Sequence, residues 1–525
     1  MISPRLAVLS LIVTAIRSTI PLMSRHHESH RRVTFLLGAI WILLTAVVSV
    51  GAEVRTSAVL DPRQMRFDPV QFTPPEPERV VLPNGLVVYL LEDHELPLIT
   101  MTATMRVGSW LDPTDQVGLA SVTGITMRTG GTQQMTPEQL DEQLEHLSAQ
   151  LSVGIGVEAG AAMLDVLKKD FRVGLGIFAD VLRRPRFDAS RVELEKLQAM
   201  EAIRRRQDRP QSIAAREFTK LLYGPTHPLA RESSIETIRR ITREDVLAFH
   251  KRYLHPNGII LGVTGDFERG PMLAALTEVF GDWTKGDVPE IVYPKRDERE
   301  DARNATERPV APSARADQRI VRFIGKTTSQ AHLRVGHLTL KEQDPDYPAL
   351  ALLNDILGGG SFRSRLFQDV RTRLGLAYSV GSTLRAGTRE QGVWVVRAET
   401  KVASAQDVVA RVVTNLEQIT KQSVTDDELE EAKEAFVNSF VFSFTSPSSI
   451  VSRLISLEYD GLPKDFLQRL RDEVMKLTKE DLLRVAKTHL HPNRLKILAV
   501  GPPETLGQVL SGFGAVEEIK LPPEG

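Results

Sequence analysis

The sequence predicts an α+β fold made of two homologous domains, and three observations predict it. Few strand-like stretches are followed by many helix-like ones, that pattern recurs, and a charged, proline-containing segment separates the two occurrences. The recurrence is explicit. Thr242-Arg-Glu-Asp-Val-Leu, Leu254-His255-Pro256-Asn257 and Gly265 match Thr478-Lys-Glu-Asp-Leu-Leu, Leu490-His491-Pro492-Asn493 and Gly501, each pair 236 residues apart. A constant offset without a gap over about 24 positions marks a duplicated domain.

At 525 residues the chain exceeds one ordinary domain. It is 42% hydrophobic and 25% charged with a formal net charge of -1, the composition of a globular protein. Near-neutrality argues against nucleic acid as a partner, because such domains carry a clear basic excess. The absence of cysteine excludes thiol catalysis, disulfides and Cys-ligated zinc, so any metal site must use His, Asp or Glu.

In chain order, residues 1–52 resemble a signal peptide: Arg31 and Arg32 precede an apolar run at 33–50 that closes on Val50-Gly51-Ala52. Met23 is the expected true start. A periplasmic or secreted location follows; the alternative is an uncleaved inner-membrane anchor facing the periplasm, since the run is long for a cleaved segment. Residues 53–77 are an N-terminal extension.

The first domain is expected over 78–284, with strands at 87–91 and 100–105 and helical spacing at 136–149, 162–182 and 188–207. Thr242 can N-cap a helix, with Asp245 three residues on; Pro256 ends it and a β-branched run follows as a strand. Residues 285–318 form a linker by composition, with a charge run at 295–301, Pro309 and Pro312. The second domain, 319–515, shows helical spacing at 404–420 and 426–442 and repeats the cap at Thr478 and Asp481. Residues 516–525 are a tail.

Four stretches carry a family resemblance. They are Leu82-Pro83-Asn84-Gly85-Leu86 with Asp93-His94 and Arg106-Val107-Gly108-Ser109; Gly118-Leu119-Ala120; Leu357-Gly358-Gly359-Gly360 through Ser364-Arg365-Leu366 and Arg371 to Tyr378; and the repeated Thr-x-Glu-Asp/His-Pro-Asn element. Together they resemble the M16 (pitrilysin/insulinase-like) zinc peptidases of the two-domain bacterial M16B type, over roughly residues 78–515. The resemblance implies two α+β domains of the LuxS/metallohydrolase-like kind, each a mainly antiparallel sheet covered by helices. The pair would enclose a chamber for unfolded peptides, with an HxxEH motif on one helix.

HxxEH places two imidazoles four residues apart on one helix face to hold zinc, while the Glu activates the bound water. In register behind Gly118-Leu119-Ala120, the ligand positions here are Ser121 and Ile125 and the base position is Gly124. Ile has no lone pair and Gly no side chain. The family's later Glu ligand falls at Ala202, with Glu201 beside it, and one carboxylate does not hold a catalytic zinc. His250 and His255 are off the i,i+4 spacing, and His255 and His491 are repeat-related, which favours a shared structural role. No metal ligand is expected in this chain.

What the resemblance leaves in place is Arg371 and Tyr378, which in the family orient substrate near the scissile carbonyl. A guanidinium and a phenol are donors suited to a developing oxyanion. Taken alone, Arg371 reads as an ordinary salt-bridging residue and Tyr378 as the start of a strand. Gly358, Gly359 and Gly360 are expected to form a tight turn between helices that lines the chamber. They lack the GxxxxGK[ST] form, which argues against phosphate binding. Arg204-Arg205-Arg206 reads as a solvated helix face. The function expected is a peptidase homologue without zinc of its own, forming a heterodimer with an HxxEH-bearing M16 homologue that binds the metal, and acting on unfolded peptides. The alternatives are a non-catalytic peptide-binding or structural scaffold and, less favoured, an active metallopeptidase.

Overall fold

The computed structural model describes residues 75–294, 318–360 and 362–522. The signal peptide, the start at Met23, nearly all of the 53–77 extension, the charge run at 295–301 and Ser361 lie outside the described residues. Among the described residues no helix is long and apolar enough to cross a membrane. The chain divides into Met1–Pro69 and a compact unit, Val70–Gly525, to which everything below belongs.

That unit holds two six-stranded sheets. The first comprises β1 (Glu78–Val81), β2 (Val87–Glu92), β3 (Leu98–Met105), β4 (Gln150–Ile155), β5 (Gly160–Leu167) and β6 (Ile259–Gly265), in the order β1-β2-β6-β3-β5-β4. The second comprises β7 (Ile320–Gly325), β8 (Gln330–Leu338), β9 (Ala377–Arg385), β10 (Val393–Lys401), β11 (Lys496–Gly501) and β12 (Val516–Glu518), in the order β12-β7-β11-β8-β10-β9. The five strands after the first of each order correspond one to one. Pairing is antiparallel except for β2–β6, β7–β11 and β7–β12. The outermost strands differ in origin: β1 forms an antiparallel hairpin with β2, whereas β12 returns from the C-terminal end. Residues 516–518, placed by the sequence in a tail, are therefore part of the second sheet.

The helices of the first half are α1 (Leu119–Thr129), α2 (Pro137–His146), α3 (Phe171–Arg183), α4 (Ala189–Arg205), α5 (Pro210–Tyr223), α6 (Ile235–Arg240), α7 (Arg243–Tyr253) and α8 (Arg269–Phe280). Those of the second are α9 (Tyr347–Asn354), α10 (Ala405–Lys421), α11 (Asp426–Val441), α12 (Pro447–Asp460), α13 (Phe466–Lys476), α14 (Lys479–His489) and α15 (Pro503–Leu510). The repeated element forms as its residues dictate. Thr242 and Thr478 cap α7 and α14 in reciprocal capping boxes with Asp245 and Asp481, and β6 and β11 follow.

Two further elements differ from expectation. Residues 162–182 divide into β5, buried at every second residue, and α3; the apolar run Ala161–Leu164 fits either period, and the period of two prevails. Leu357-Gly358-Gly359 is a π-helical turn, Asp355–Gly359, that extends α9 rather than a tight turn between helices. A side chain on Gly358 would lie 2.8 Å from the Ser382 amide of β9, so glycine is what lets the helix end reach the sheet.

The halves interlock. Helix α12 of the second half lies on the first sheet, packing Val451, Ile455 and Tyr459 against Tyr89 and Ile260. Helix α5 of the first half lies on the second sheet, packing Ile213, Phe218 and Leu222 against Ile324, Leu498 and Val500. Each buried aliphatic chain contributes about 1.5–3 kcal/mol. Glu458 of α12 accepts two hydrogen bonds from Arg79, at 2.8 and 2.7 Å, and one from the Tyr89 hydroxyl at 2.6 Å. Strand β6 is accordingly buried along nearly all its length, as a strand covered on both faces must be.

The histidines of the repeat do not share one role. His255 faces Gly286, whose backbone N–H and C=O are both bound by the Asn257 amide at 3.0 and 2.9 Å, pinning the start of the connection between halves. His491 instead packs its ring 5.3 Å from that of His337. The equivalent backbone turns have been put to different packing uses.

Candidate functional site

Helix α1 is built around its own N-terminus. Gly118 has a φ of 112°, open to glycine, and the buried Asp112 carboxylate accepts the Gly118 and Ala120 N–H groups at 2.8 Å each. Burial pushes the Asp112 carboxyl up to about 6, while those two hydrogen bonds and Arg231 pull the other way. The helix is thus fixed as firmly as an active-site helix needs to be, but what it presents is inert.

Ser121 is exposed, Ile125 half-buried and Gly124 buried. A Cβ on Gly124 would lie 2.5 Å from the Ile155 amide nitrogen and 2.9 Å from the Gly154 carbonyl carbon, both main-chain atoms of β4. The sequence shows a missing base; the structure adds that the strand occupies the space a base would fill. Helix α4, which carries Glu201 and Ala202, packs against α1. Glu201, half-exposed, pairs with Arg205 at 2.7 Å and Arg204 at 3.5 Å, and Ala202 offers no donor atom. Ser121, Gly124, Ile125, Glu201 and Ala202 therefore do not fit a zinc ion. Arg204 and Arg205 are accounted for as a paired helix face.

Two further histidines are occupied by packing. His250 bonds the Leu182 carbonyl at 2.9 Å, and burial pushes it down to about 4. His337 bonds the Leu338 carbonyl at 2.8 Å and is likewise pushed down by burial to about 4. One group among the described residues has metal-like spacing: Asp344, Asp346 and His489. Arg484 already holds Asp346 at 2.8 and 3.1 Å, which supplies a cation to that cluster.

In the second half, Arg371 lies in a π-helical segment, Phe367–Arg373, and Tyr378 is the second residue of β9. The Arg371 guanidinium carbon is 4.7 Å from the Phe367 ring centre and 5.2 Å from that of Tyr378. Among the described residues no carboxylate pairs with Arg371, so it is not the ordinary salt-bridging residue it resembles when taken alone. Its rings hold its plane while leaving N–H groups unspent. Tyr378 is 79% exposed, far more than a strand-forming tyrosine needs to be. The segment is anchored by buried Asp369, which accepts from Arg411 at 2.6 and 2.8 Å and from Asn415 at 2.8 Å, tying it to α10.

Arg371 and Tyr378 are thus brought together, as are α1 and α4. Among the described residues no hydrogen bond, ion pair or ring contact joins positions 121–125 to Arg371 or Tyr378. Gly358 is buried against β9, Gly359 lies against Asn354 and Asp355, and Gly360 lines a cavity of about 480 Å³. Sequence reasoning missed Phe367. The signal was available, since Phe367 stands four residues before Arg371 on one helical face.

Comparisons with known proteins give the family and the fold. Residues 87–230 match the family model of the insulinase peptidases (peptidase family M16), and residues 240–436 match the model described as the peptidase M16 inactive domain. An uncharacterized zinc protease of Mycobacterium tuberculosis is 26% identical over 455 residues, covering 84% of this chain and 96% of the relative. A protein named as a non-peptidase homolog from Helicobacter pylori is 24% identical, over 78% of this chain and 90% of that protein. The solved structure of a peptidase M16 inactive domain from Pseudomonas fluorescens superposes with a TM-score of 0.69 at 26% identity, over 81% of this chain and 98% of that one.

Proposed function

The chain belongs to peptidase family M16, and from that premise we propose that it is the non-zinc-binding subunit of a heteromeric metallopeptidase that degrades peptides. An HxxEH-bearing homologue supplies zinc and the general base; this chain supplies Arg371 and Tyr378 as substrate-orienting donors. The observation that carries the reading is the contrast between the two sites: main chain fills the space at Gly124, while Arg371 has no ion pair among the described residues and stands beside the exposed Tyr378. The proposed setting is periplasmic or secreted, with a membrane anchor if residues 33–50 are retained.

The test is reconstitution with an HxxEH-bearing homologue encoded alongside. The isolated chain is expected to be inert toward unfolded peptides, and the mixture active. Zinc-dependent cleavage by this chain alone overturns the proposal. A second reading, a peptide-binding or structural scaffold, is favoured by the similarity to a non-peptidase homolog and to an inactive domain. An Arg371→Ala/Tyr378→Phe double variant separates the two: a loss of roughly a hundredfold in turnover supports the subunit role, and unchanged turnover supports the scaffold.

A further inference from the structure

We propose that the cavity beside Gly360 is a side-chain subsite that takes a lysine or arginine of an extended peptide; this rests on the reading of the chain as a peptide-handling M16 subunit. The cavity, about 480 Å³, opens between the π-helical end of α9 and helix α11. Ile356, Ala435 and Phe436 give it an apolar wall, and Asp355 stands at its edge. That combination, a hydrocarbon wall with a carboxylate, matches a long aliphatic stem ending in a cation.

The charges around the cavity single out Asp355. Glu428 is held by Arg365 through two bonds of 2.7 Å, and Glu431 is paired with Arg363. Among the described residues no cation pairs with Asp355. It also sits at the C-terminal end of α9, where the helix dipole opposes a negative charge. Glycine is what admits it there: a Cβ on Gly359 would lie 2.7 Å from the Asp355 Oδ1. Burial pushes the carboxyl up to about 6, against a hydrogen bond from Asn354. Such an acid lacks a partner that an incoming cation supplies.

In sequence, the cavity lining adjoins a row of side chains that ends at the Arg371/Tyr378 pair. Phe362, 73% exposed, follows the cavity-lining glycine closely and stacks edge-on to Phe367 at 5.0 Å. Phe367 in turn carries Arg371 at 4.7 Å, and Arg371 carries Tyr378 at 5.2 Å. Phe362, Phe367, Arg371 and Tyr378 form a ladder with steps near 5 Å. An extended peptide, rising about 3.3 Å per residue, crosses it in roughly four or five residues. On this proposal, a basic side chain about that many residues from the scissile bond enters the cavity.

The experiment uses the purified chain without a partner and two capped, fluorescein-labelled octapeptides of Ala, Leu and Ser, one with a central arginine and one with citrulline in its place. Anisotropy at pH 7.5 is expected to show at least tenfold tighter binding of the arginine peptide, a preference that fades below pH 6 as Asp355 takes a proton. Asp355→Asn is expected to bring the ratio near one. Ala435→Lys, at an exposed wall position, fills the cavity with a tethered cation and is expected to do the same, while Glu278→Gln, a distant exposed acid, leaves the ratio unchanged. Equal binding of the two peptides, no binding of either, or a preference that survives Asp355→Asn overturns the subsite. A retained preference with no turnover on reconstitution overturns the subunit role and leaves the subsite standing.

Discussion

Gly124→Ala is a single methyl group that tests whether the zinc face is closed by packing or merely lacks side chains. The added carbon would sit 2.5 Å from the Ile155 amide nitrogen and 2.9 Å from the Gly154 carbonyl carbon, against an ordinary contact nearer 3.5 Å. Because both atoms are main chain, no rotamer relieves the clash; helix α1 and edge strand β4 must separate by several tenths of an ångström. Overpacking of this kind costs about 1–3 kcal/mol, while replacing a mid-helix glycine by alanine returns about 1 kcal/mol. The net expectation is a loss of up to about 2 kcal/mol. Gly176 of α3 is the control, since a Cβ there meets nothing within 4 Å, and Gly176→Ala is expected to stabilise by about 0.5–1 kcal/mol. Urea unfolding followed by circular dichroism reads both as midpoint shifts of opposite sign at constant slope. A Gly124→Ala variant that gains stability as Gly176→Ala does refutes the argument that main chain fills the base position. If the argument holds, Ser121→His/Gly124→Glu/Ile125→His does not bind zinc stoichiometrically in equilibrium dialysis.

Further expectations follow from other contacts. Asp112→Ala strands two buried N–H groups at the start of α1 and is expected to cost about 2–3 kcal/mol in chemical denaturation. The Asp112 carboxyl is raised to about 6 in the fold from an unfolded value near 3.8, so the folded state holds that proton more tightly. The associated stability is present below about pH 4 and is lost as pH rises through 6; Asp112→Asn should flatten that part of the pH–stability curve, leaving the part due to Asp355. Ile455→Ala removes a fully buried chain between α12 and the first sheet and is expected to cost about 2–4 kcal/mol, with faster amide exchange in β6 although the substitution lies in the other half. Phe367→Ala is expected to cost under about 1 kcal/mol in stability but to lower turnover of a reconstituted pair, because Arg371 loses one of its two ring contacts.

What was legible in the sequence is what local chemistry fixes. Thr242-x-x-Asp245 and Thr478-x-x-Asp481 announce helix starts because the cap is made within four residues. Arg371 and Tyr378 were legible through a motif eight residues long. Long-range choices were not. The run at 161–164 carries no information about whether a sheet neighbour is waiting for it, and β3 decides by pairing with β5. Residues 516–518 become a strand because β7 has a free edge, not because their own sequence demands it. The vacancy at Gly124 was visible as a letter, whereas its closure by β4 depends on a strand some thirty residues away.

The interlocked helices explain why a chain without the residues for zinc keeps the half that would have held it. Helix α5 belongs to the first half, yet its Ile213, Phe218 and Leu222 cover Ile324, Leu498 and Val500 of the second sheet. Removing the first half would bare that face and, at about 1.5–3 kcal/mol per buried aliphatic chain, cost the second half much of a typical domain's net stability. The second sheet in turn carries β9, on which Tyr378 stands and against which Gly358 is packed. Position 124 can therefore lack a base without loss of the fold, because the contact made there is a local one between α1 and β4. The helices that cross between halves are under a different constraint, since the Arg371/Tyr378 site depends on them. Substitutions in α5 that unpack Phe218 are expected to disturb Tyr378, on the opposite half, before they disturb α1.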